Sequence, residues 1–162
     1  MSRHSDINRP SLQAVHTDIG VFLADQLLDT MGFSDSSFSC NSPWSHVQRT
    51  TFQGRSTDGN KVLTLPLMWD GEPMSQGVHK QFPSAKLVHW VEDSPPLVDM
   101  LRLDVGVNVI IVDSVVNSGQ SIKCVIHHFQ SCLASTSLPQ FFVLTAVMHS
   151  VAFTRLLKAI HA

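Results

Sequence analysis

The segment at residues 107–112, VNVIIV, restricts the fold of this chain most strongly, because five of its six residues are Val or Ile. β-Branched residues favour strands, and a strand without polar alternation is typical of a parallel sheet buried on both faces. Strand-like and helix-like patterns alternate from here in both directions. We expect strands at residues 61–68, 86–91, 107–112 and 140–147, and helices at residues 73–82, 119–133 and 151–160. This alternation predicts an α/β fold, with a mainly parallel twisted sheet of about four to five strands and helices on both faces.

The N-terminal part of the chain begins with a polar segment. Residues 1–11 predict a flexible leader, so that residues 12–162 form a single domain. Apolar residues recur at helical spacing over residues 12–31, and Gly32 suits the position just past a helix end. We therefore expect the domain to open with a helix.

A β-hairpin arm is expected next. Residues 34–45 are rich in Ser, Asn and Pro, which predicts a loop. Strand-like residues 47–54 and 61–68 then flank Thr57-Asp58-Gly59-Asn60, a sequence that favours a turn. This spacing predicts a hairpin ahead of the parallel sheet.

Composition argues against several classes of function. The net charge is −2 and no segment concentrates Lys or Arg, so the sequence indicates no nucleic-acid partner. No apolar run reaches the roughly 18 residues that a membrane helix needs, and no secretory signal is apparent. We expect a cytoplasmic protein with no membrane partner. The three Cys and nine His share no ligand spacing, so we predict no protein-bound metal.

The segment VIIVDSVVNSGQSI, residues 109–122, carries the clearest chemical signal. A buried strand is expected to deliver Asp113 at its carboxyl end, and a tight loop leads to Gly119, where a helix begins. Unpaired N–H groups at a helix start bind phosphate well, and Ser118 and Ser121 add hydroxyl donors. The alternative is structural, because Asp often caps a helix and Ser-Gly is common in turns. Spacing alone leaves both interpretations open.

The strand-Asp-loop-Gly-x-Ser arrangement resembles the diphosphosugar-binding motif of type I phosphoribosyltransferases, in which an apolar strand and one or two acids precede T-G-G-S/T. The single acid in Asp113-Ser114 is similar to the uracil phosphoribosyltransferase branch, which reads D-P-M-L-A-T-G-G-S. This resemblance implies that Asp113 is a catalytic residue that contacts the ribose hydroxyls. It also implies that the 5′-phosphate is held by Asn117, Ser118, Gly119, Gln120 and Ser121.

A second segment resembles the same branch. Residues 65–85 are similar to the family pattern I-L-R-A-G-x-x-M-x-x-G-V-x-x-x-x-P-x-A. The resemblance implies that Trp69, Asp70 and Gly71 form the pyrophosphate loop, with Trp69 where the family has Arg. Arg102, in a shortened segment between the second and third core strands, is the candidate for the missing catalytic charge. A solvated surface Arg is the simpler alternative.

The resemblance implies an enzyme that transfers ribose 5-phosphate from phosphoribosyl pyrophosphate to uracil, giving UMP. Mg²⁺ would accompany the pyrophosphate donor, and the family's arm implies a homodimer. Two alternatives stay open. A binding or regulatory module that has lost catalysis is favoured by Trp69, by the short segment around Arg102 and by the lack, up to residue 162, of the segment that reads the base in the family. A fragment of a longer enzyme is the third hypothesis.

Overall fold

The structure is a computed structural model that describes residues 9–31, 35–40, 50–55, 61–67, 71–93, 95–96, 106–133 and 138–160. In chain order its elements are α1 (Arg9–Thr30), β1 (Asp35–Cys40), β2 (Thr50–Arg55), β3 (Val62–Pro66), α2 (Gly71–Gln81), β4 (Lys86–Leu87), β5 (Asn108–Val116), α3 (Gln120–Cys132), β6 (Gln140–Met148) and α4 (Ser150–Ile160). None of the helices within these ranges combines the length and the apolar character that crossing a membrane requires.

Four strands form a parallel sheet in the order β4-β3-β5-β6. The pairing of β4 is short, but it continues as an isolated bridge between Leu67 and Trp90. Since all strands run the same way, their carboxyl ends meet at one edge of the sheet, which is where open α/β sheets bind ligands. The predicted α/β fold is confirmed.

The two faces of the sheet carry separate hydrophobic clusters. Val109 and Ile111 of β5 belong to the cluster under α3 and α4, whereas Ile110 and Val112 belong to the cluster under α1 and α2. All four side chains are fully buried. Because alternate residues of a strand face opposite sides, burial of both sets requires helices on both faces.

The predicted arm has different strands from those expected. β1 pairs with β2 in antiparallel register, with Phe38 opposite Phe52, while β3 enters the main sheet. Residues 35–40, expected in a loop, are therefore a strand. The reason lies in β3, whose five residues are all buried. A segment that is buried on both faces gains more from an interior position in a covered sheet than from a two-stranded arm.

The opening helix also starts earlier than predicted. α1 begins at Arg9, so residues 9–11, which were expected in the leader, are helical. Pro10 does not oppose this, because Pro is well tolerated in the first turn of a helix.

Candidate functional site

Strand β5 extends further than its sequence predicts. Asp113 was expected at the end of the strand, but β5 continues to Val116 and stays paired with β6, Asp113 opposite Thr145 and Val116 opposite Met148. The His149 N–H donates to the Val116 carbonyl at 2.9 Å just past this ladder. The pairing partner is remote in sequence, which is why the local pattern placed the end of the strand too early. Asp113 is half-buried.

The loop between β5 and α3 turns on Gly119. Its φ is +73°, in the left-handed region, and it is the N-cap of α3. A Cβ at this position would lie 3.2 Å from Cγ of the buried Leu156 on α4. Backbone conformation and packing therefore both favour glycine here.

The first turn of α3 has no side-chain cap at its N-cap residue. The Gln120 N–H reaches the Ser118 hydroxyl at 3.3 Å, a long contact, and the Asp113 carboxylate accepts from the Val115 N–H at 3.4 Å within its own strand. The N-cap residue of α3 is thus Gly119 and not Asp113. The start of α3 keeps the positive end of its dipole directed at the loop.

A cavity of about 200 Å³ lies at this helix start, and its lining is formed by Asp113 and residues 115–122. We call it the loop cavity. It brings together all six residues that the resemblance assigned to ribose and 5′-phosphate, so the loop surrounds a common open space. Val115, Val116 and Ile122 line it too and were not predicted, because apolar residues in such a segment indicate only burial. That this cavity holds a phosphate stays a prediction.

The pyrophosphate loop is described only at its end. Gly71 is buried at the start of α2, where its N–H donates to the Leu67 carbonyl at 3.2 Å. A Cβ on Gly71 would meet the backbone carbonyl of Val112 in β5. α2 therefore begins beside β5, one residue before Asp113. Trp69, Asp70 and Arg102 lie outside the described residues.

A second, larger cavity was missed by sequence reasoning. It measures about 540 Å³ and lies between the outer side of α3 and the segment that contributes Trp90, Glu92 and Pro95. We call it the α3 cleft. Gln120 lines both the α3 cleft and the loop cavity. The one signal in the sequence is the polar stripe on α3, formed by Gln120, Cys124, His127 and Ser131 at helical spacing.

Within the ranges that the structure describes, no three His, Cys, Asp or Glu side chains cluster closely enough to hold a metal ion. Cys124 and Cys132 are free thiols. A metal ion at this site would therefore need ligands other than a cluster of these side chains.

A doubly wound parallel sheet, with a glycine-turned loop and a helix start after an interior strand, defines an α/β domain of the phosphoribosyltransferase type. The chain matches the family model described as uracil phosphoribosyltransferase over residues 1–160, and it belongs to that family. The resemblance predicted from residues 65–85 and 109–122 is thereby confirmed.

A solved structure supports the same fold. The structure described as the AQ2163 protein from Aquifex aeolicus superposes with a TM-score of 0.69, covering 96% of this chain and 73% of that one. The two sequences are 14% identical, so the likeness concerns the fold alone. No curated protein matches the sequence.

Proposed function

We propose that this chain binds phosphoribosyl pyrophosphate and transfers ribose 5-phosphate to uracil, giving UMP. The observation that carries the proposal is the loop cavity, in which Asp113 and residues 117–121 surround one space at the start of α3. Membership of the uracil phosphoribosyltransferase family supports the same chemistry.

The 5′-phosphate fits the start of α3. Backbone N–H groups of the first helical turn and the hydroxyls of Ser118 and Ser121 are suitable donors to its oxygens. Gly119 allows the backbone to approach the anion closely, since it carries no Cβ. The cavity is large enough to hold a phosphate and the adjoining part of a sugar.

Asp113 lies on the sugar side of this arrangement. Its carboxylate can accept hydrogen bonds from ribose hydroxyls, which are donors, and it opposes the binding of another anion. In the transfer, the bond from C1 of ribose to pyrophosphate breaks and the bond from C1 to N1 of uracil forms. Pyrophosphate departs with the electron pair and uracil loses its N1 proton.

The departing pyrophosphate carries the largest charge in the reaction. Mg²⁺ that arrives with the donor screens this charge. We therefore regard the metal as part of the substrate complex.

A second function is favoured by Trp69 and Asp70, which stand where the family pattern has Arg and Ala. Loss of one well-placed donor costs roughly 3–4 kcal/mol of transition-state stabilisation, about a hundred- to thousand-fold in rate. A chain that binds the donor without transferring the sugar would act as a binding or regulatory module.

Two measurements separate these functions. Calorimetric titration with phosphoribosyl pyrophosphate and Mg²⁺ should show one site per chain, and transfer to radiolabelled uracil should give UMP. Binding without UMP would select the module. Failure to bind millimolar donor would overturn both functions.

A further inference from the structure

Helix α4 and the residue before it contact the loop between β5 and α3 at both of its ends. Val116 precedes this loop, and its carbonyl accepts from the His149 N–H at 2.9 Å. Gly119 ends the loop, and the side chain of Leu156 fills the space on its Cβ side. A Cβ built on Gly119 would lie 3.2 Å from Cγ of Leu156 and 3.4 Å from each of its Cδ atoms.

Leu156 lies behind the loop and outside the loop cavity. The cavity is lined by Asp113 and residues 115–122, whereas Leu156 is 6% exposed and belongs to the hydrophobic cluster that contains Val116 and Ile122. Ala152, one turn earlier on α4, is fully buried in the same cluster, so this side of the helix is anchored in the core. Leu156 can therefore act on a ligand in the cavity only through the loop.

The loop is restrained weakly from within. Asn117 and Ser118 are exposed, and the contact from the Gln120 N–H to the Ser118 hydroxyl is long, at 3.3 Å. Glycine, at position 119, has the greatest backbone freedom of any residue type. N–H groups that converge on one anion lose affinity when binding must first order them. A side chain that fixes Gly119 before the ligand arrives removes that cost.

We propose that Leu156 is a positioning residue for this loop. Its side chain holds Gly119 so that the N–H groups at the start of α3 converge on the loop cavity. For the identity of the anion the inference rests on the function proposed above. The placement of the loop by α4 rests only on the contacts of Gly119 and Val116.

Leu156→Ala removes the contact and leaves every residue that lines the loop cavity in place. This variant should bind ribose 5-phosphate at least fivefold more weakly, measured by calorimetry at matched folded fractions. Leu156→Met keeps most of the apolar volume, so it should bind within about twofold of the unchanged protein. If Leu156→Ala does not fold, Leu156→Val decides the question, with an expected weakening of at least twofold.

Leu27→Ala is the matched control. Leu27 is 7% exposed, close to the value for Leu156, but it lies in the cluster on the opposite face of the sheet. Both truncations should lower the midpoint of urea denaturation, because each leaves a cavity. Leu27→Ala should nevertheless leave the affinity for ribose 5-phosphate unchanged. Equal weakening in the two variants would overturn the inference, since the loss would then follow stability.

A double variant tests whether the two residues act through each other. The methyl group that Gly119→Ala introduces has room once Leu156 is truncated. The double variant should therefore bind ribose 5-phosphate at least threefold more tightly than the product of the two single losses predicts. Losses that multiply without this recovery would show that the residues act separately, and the inference would be overturned.

Amide hydrogen exchange without ligand separates this inference from the proposed function. The Lys123 N–H donates to the Gly119 carbonyl at 3.1 Å, so its protection reports whether Gly119 keeps its place. Leu156→Ala should speed this exchange at least fivefold more than Leu27→Ala does.

The combined outcomes are distinct. If the unchanged protein does not bind ribose 5-phosphate but Lys123 exchanges faster in Leu156→Ala, the phosphate role of the loop is overturned and its placement by Leu156 stands. If ribose 5-phosphate binds, and Leu156→Ala matches Leu27→Ala in both affinity and Lys123 exchange, the inference is overturned and the phosphate site stands.

Discussion

At the scale of single residues, Gly119 is the position where the loop tolerates least change. It takes a left-handed conformation and also lies against Leu156. Gly106 offers a natural comparison, since its φ is +83° but no described atom lies within 4 Å of a Cβ built there. The pair separates the cost of the backbone conformation from the cost of packing.

We predict that Gly106→Ala lowers the free energy of unfolding by about 1–2 kcal/mol, the usual cost of a left-handed L-residue. Gly119→Ala should cost about 1 kcal/mol more, because the Leu156 side chain must also move. Urea denaturation of both variants checks this. Equal losses of unfolding free energy would show that the Leu156 side chain moves without cost and that the loss comes from the φ angle alone.

Gly119→Ala should also weaken ribose 5-phosphate binding at least tenfold, whereas Gly106→Ala, at the far end of β5, should leave it unchanged. Calorimetry at matched folded fractions measures both affinities. Unchanged binding by the Gly119 variant would mean that the phosphate does not approach this backbone.

Asp113 provides the second test at this scale. Asp113→Asn keeps an oxygen that can accept from the Val115 N–H but removes the negative charge. A hydrogen bond to a charged group contributes about 1.5–3 kcal/mol, so affinity for the donor should fall about ten- to hundredfold. Asp25→Asn serves as the control. An increase in affinity would show that the carboxylate repels the donor instead of holding its ribose.

At the scale of elements, α1 and α2 pack through two glycines. A Cβ on Gly20 would meet the Met74 carbonyl, and one on Gly77 would meet the Thr17 carbonyl. The Thr17 hydroxyl donates to the Pro73 carbonyl at 3.0 Å across the same contact. Backbones this close leave no room for any side chain at either glycine.

Gly77→Ala should therefore destabilise the protein by about 1–3 kcal/mol through overpacking, although Ala gains about 1 kcal/mol in helix propensity. Gln76→Ala, at the exposed position next to Gly77 in α2, should change stability by less than about 0.5 kcal/mol. Thermal denaturation followed by circular dichroism compares them. A stabilised Gly77 variant would mean that α1 and α2 can move apart freely.

At the scale of the whole molecule, the core on the α3 and α4 face depends on Phe129. Its side chain is fully buried and meets Phe141 of β6 edge to face, with ring centroids 5.7 Å apart. Phe129→Ala should cost about 3–5 kcal/mol in unfolding free energy. Phe153→Ala, at a side chain 56% exposed, should cost less than about 1 kcal/mol. Comparable losses of unfolding free energy in the two variants would indicate that Phe153 is buried in an interface.

The outer strand of the described sheet also concerns the whole molecule. β6 is the last strand in the order, and Val147 on it is 58% exposed. Unpaired strand edges tend to recruit a partner, and we expect a homodimer. Light scattering after size-exclusion chromatography should give about twice the chain mass. A monomer at every concentration tested would contradict this.

The sequence predicted the elements of the parallel sheet closely, because their signals are local. α3 was expected at residues 119–133 and spans Gln120–Cys132, and β6 and α4 each differ from prediction by one residue. Helical spacing, β-branched runs and turn residues act within a few positions along the chain. The turn at Gly119 belongs to this class, since a glycine at a strand-to-helix junction is a local signal, whereas the phosphate role of the loop was implied by the resemblance.

The strand pairing and the surroundings of the loop depend on tertiary contacts. β1 became a strand through its pairing with β2, and β5 runs on to Val116 because β6 pairs with it there. The α3 cleft joins Glu92 to Cys124 and Trp90 to His128, pairs more than 30 residues apart. Local chemistry alone thus determined the type of fold and the turn at Gly119. Which strands pair, and what lies beside the loop, depend on free energies shared between distant residues, and only the folded chain brings those residues together.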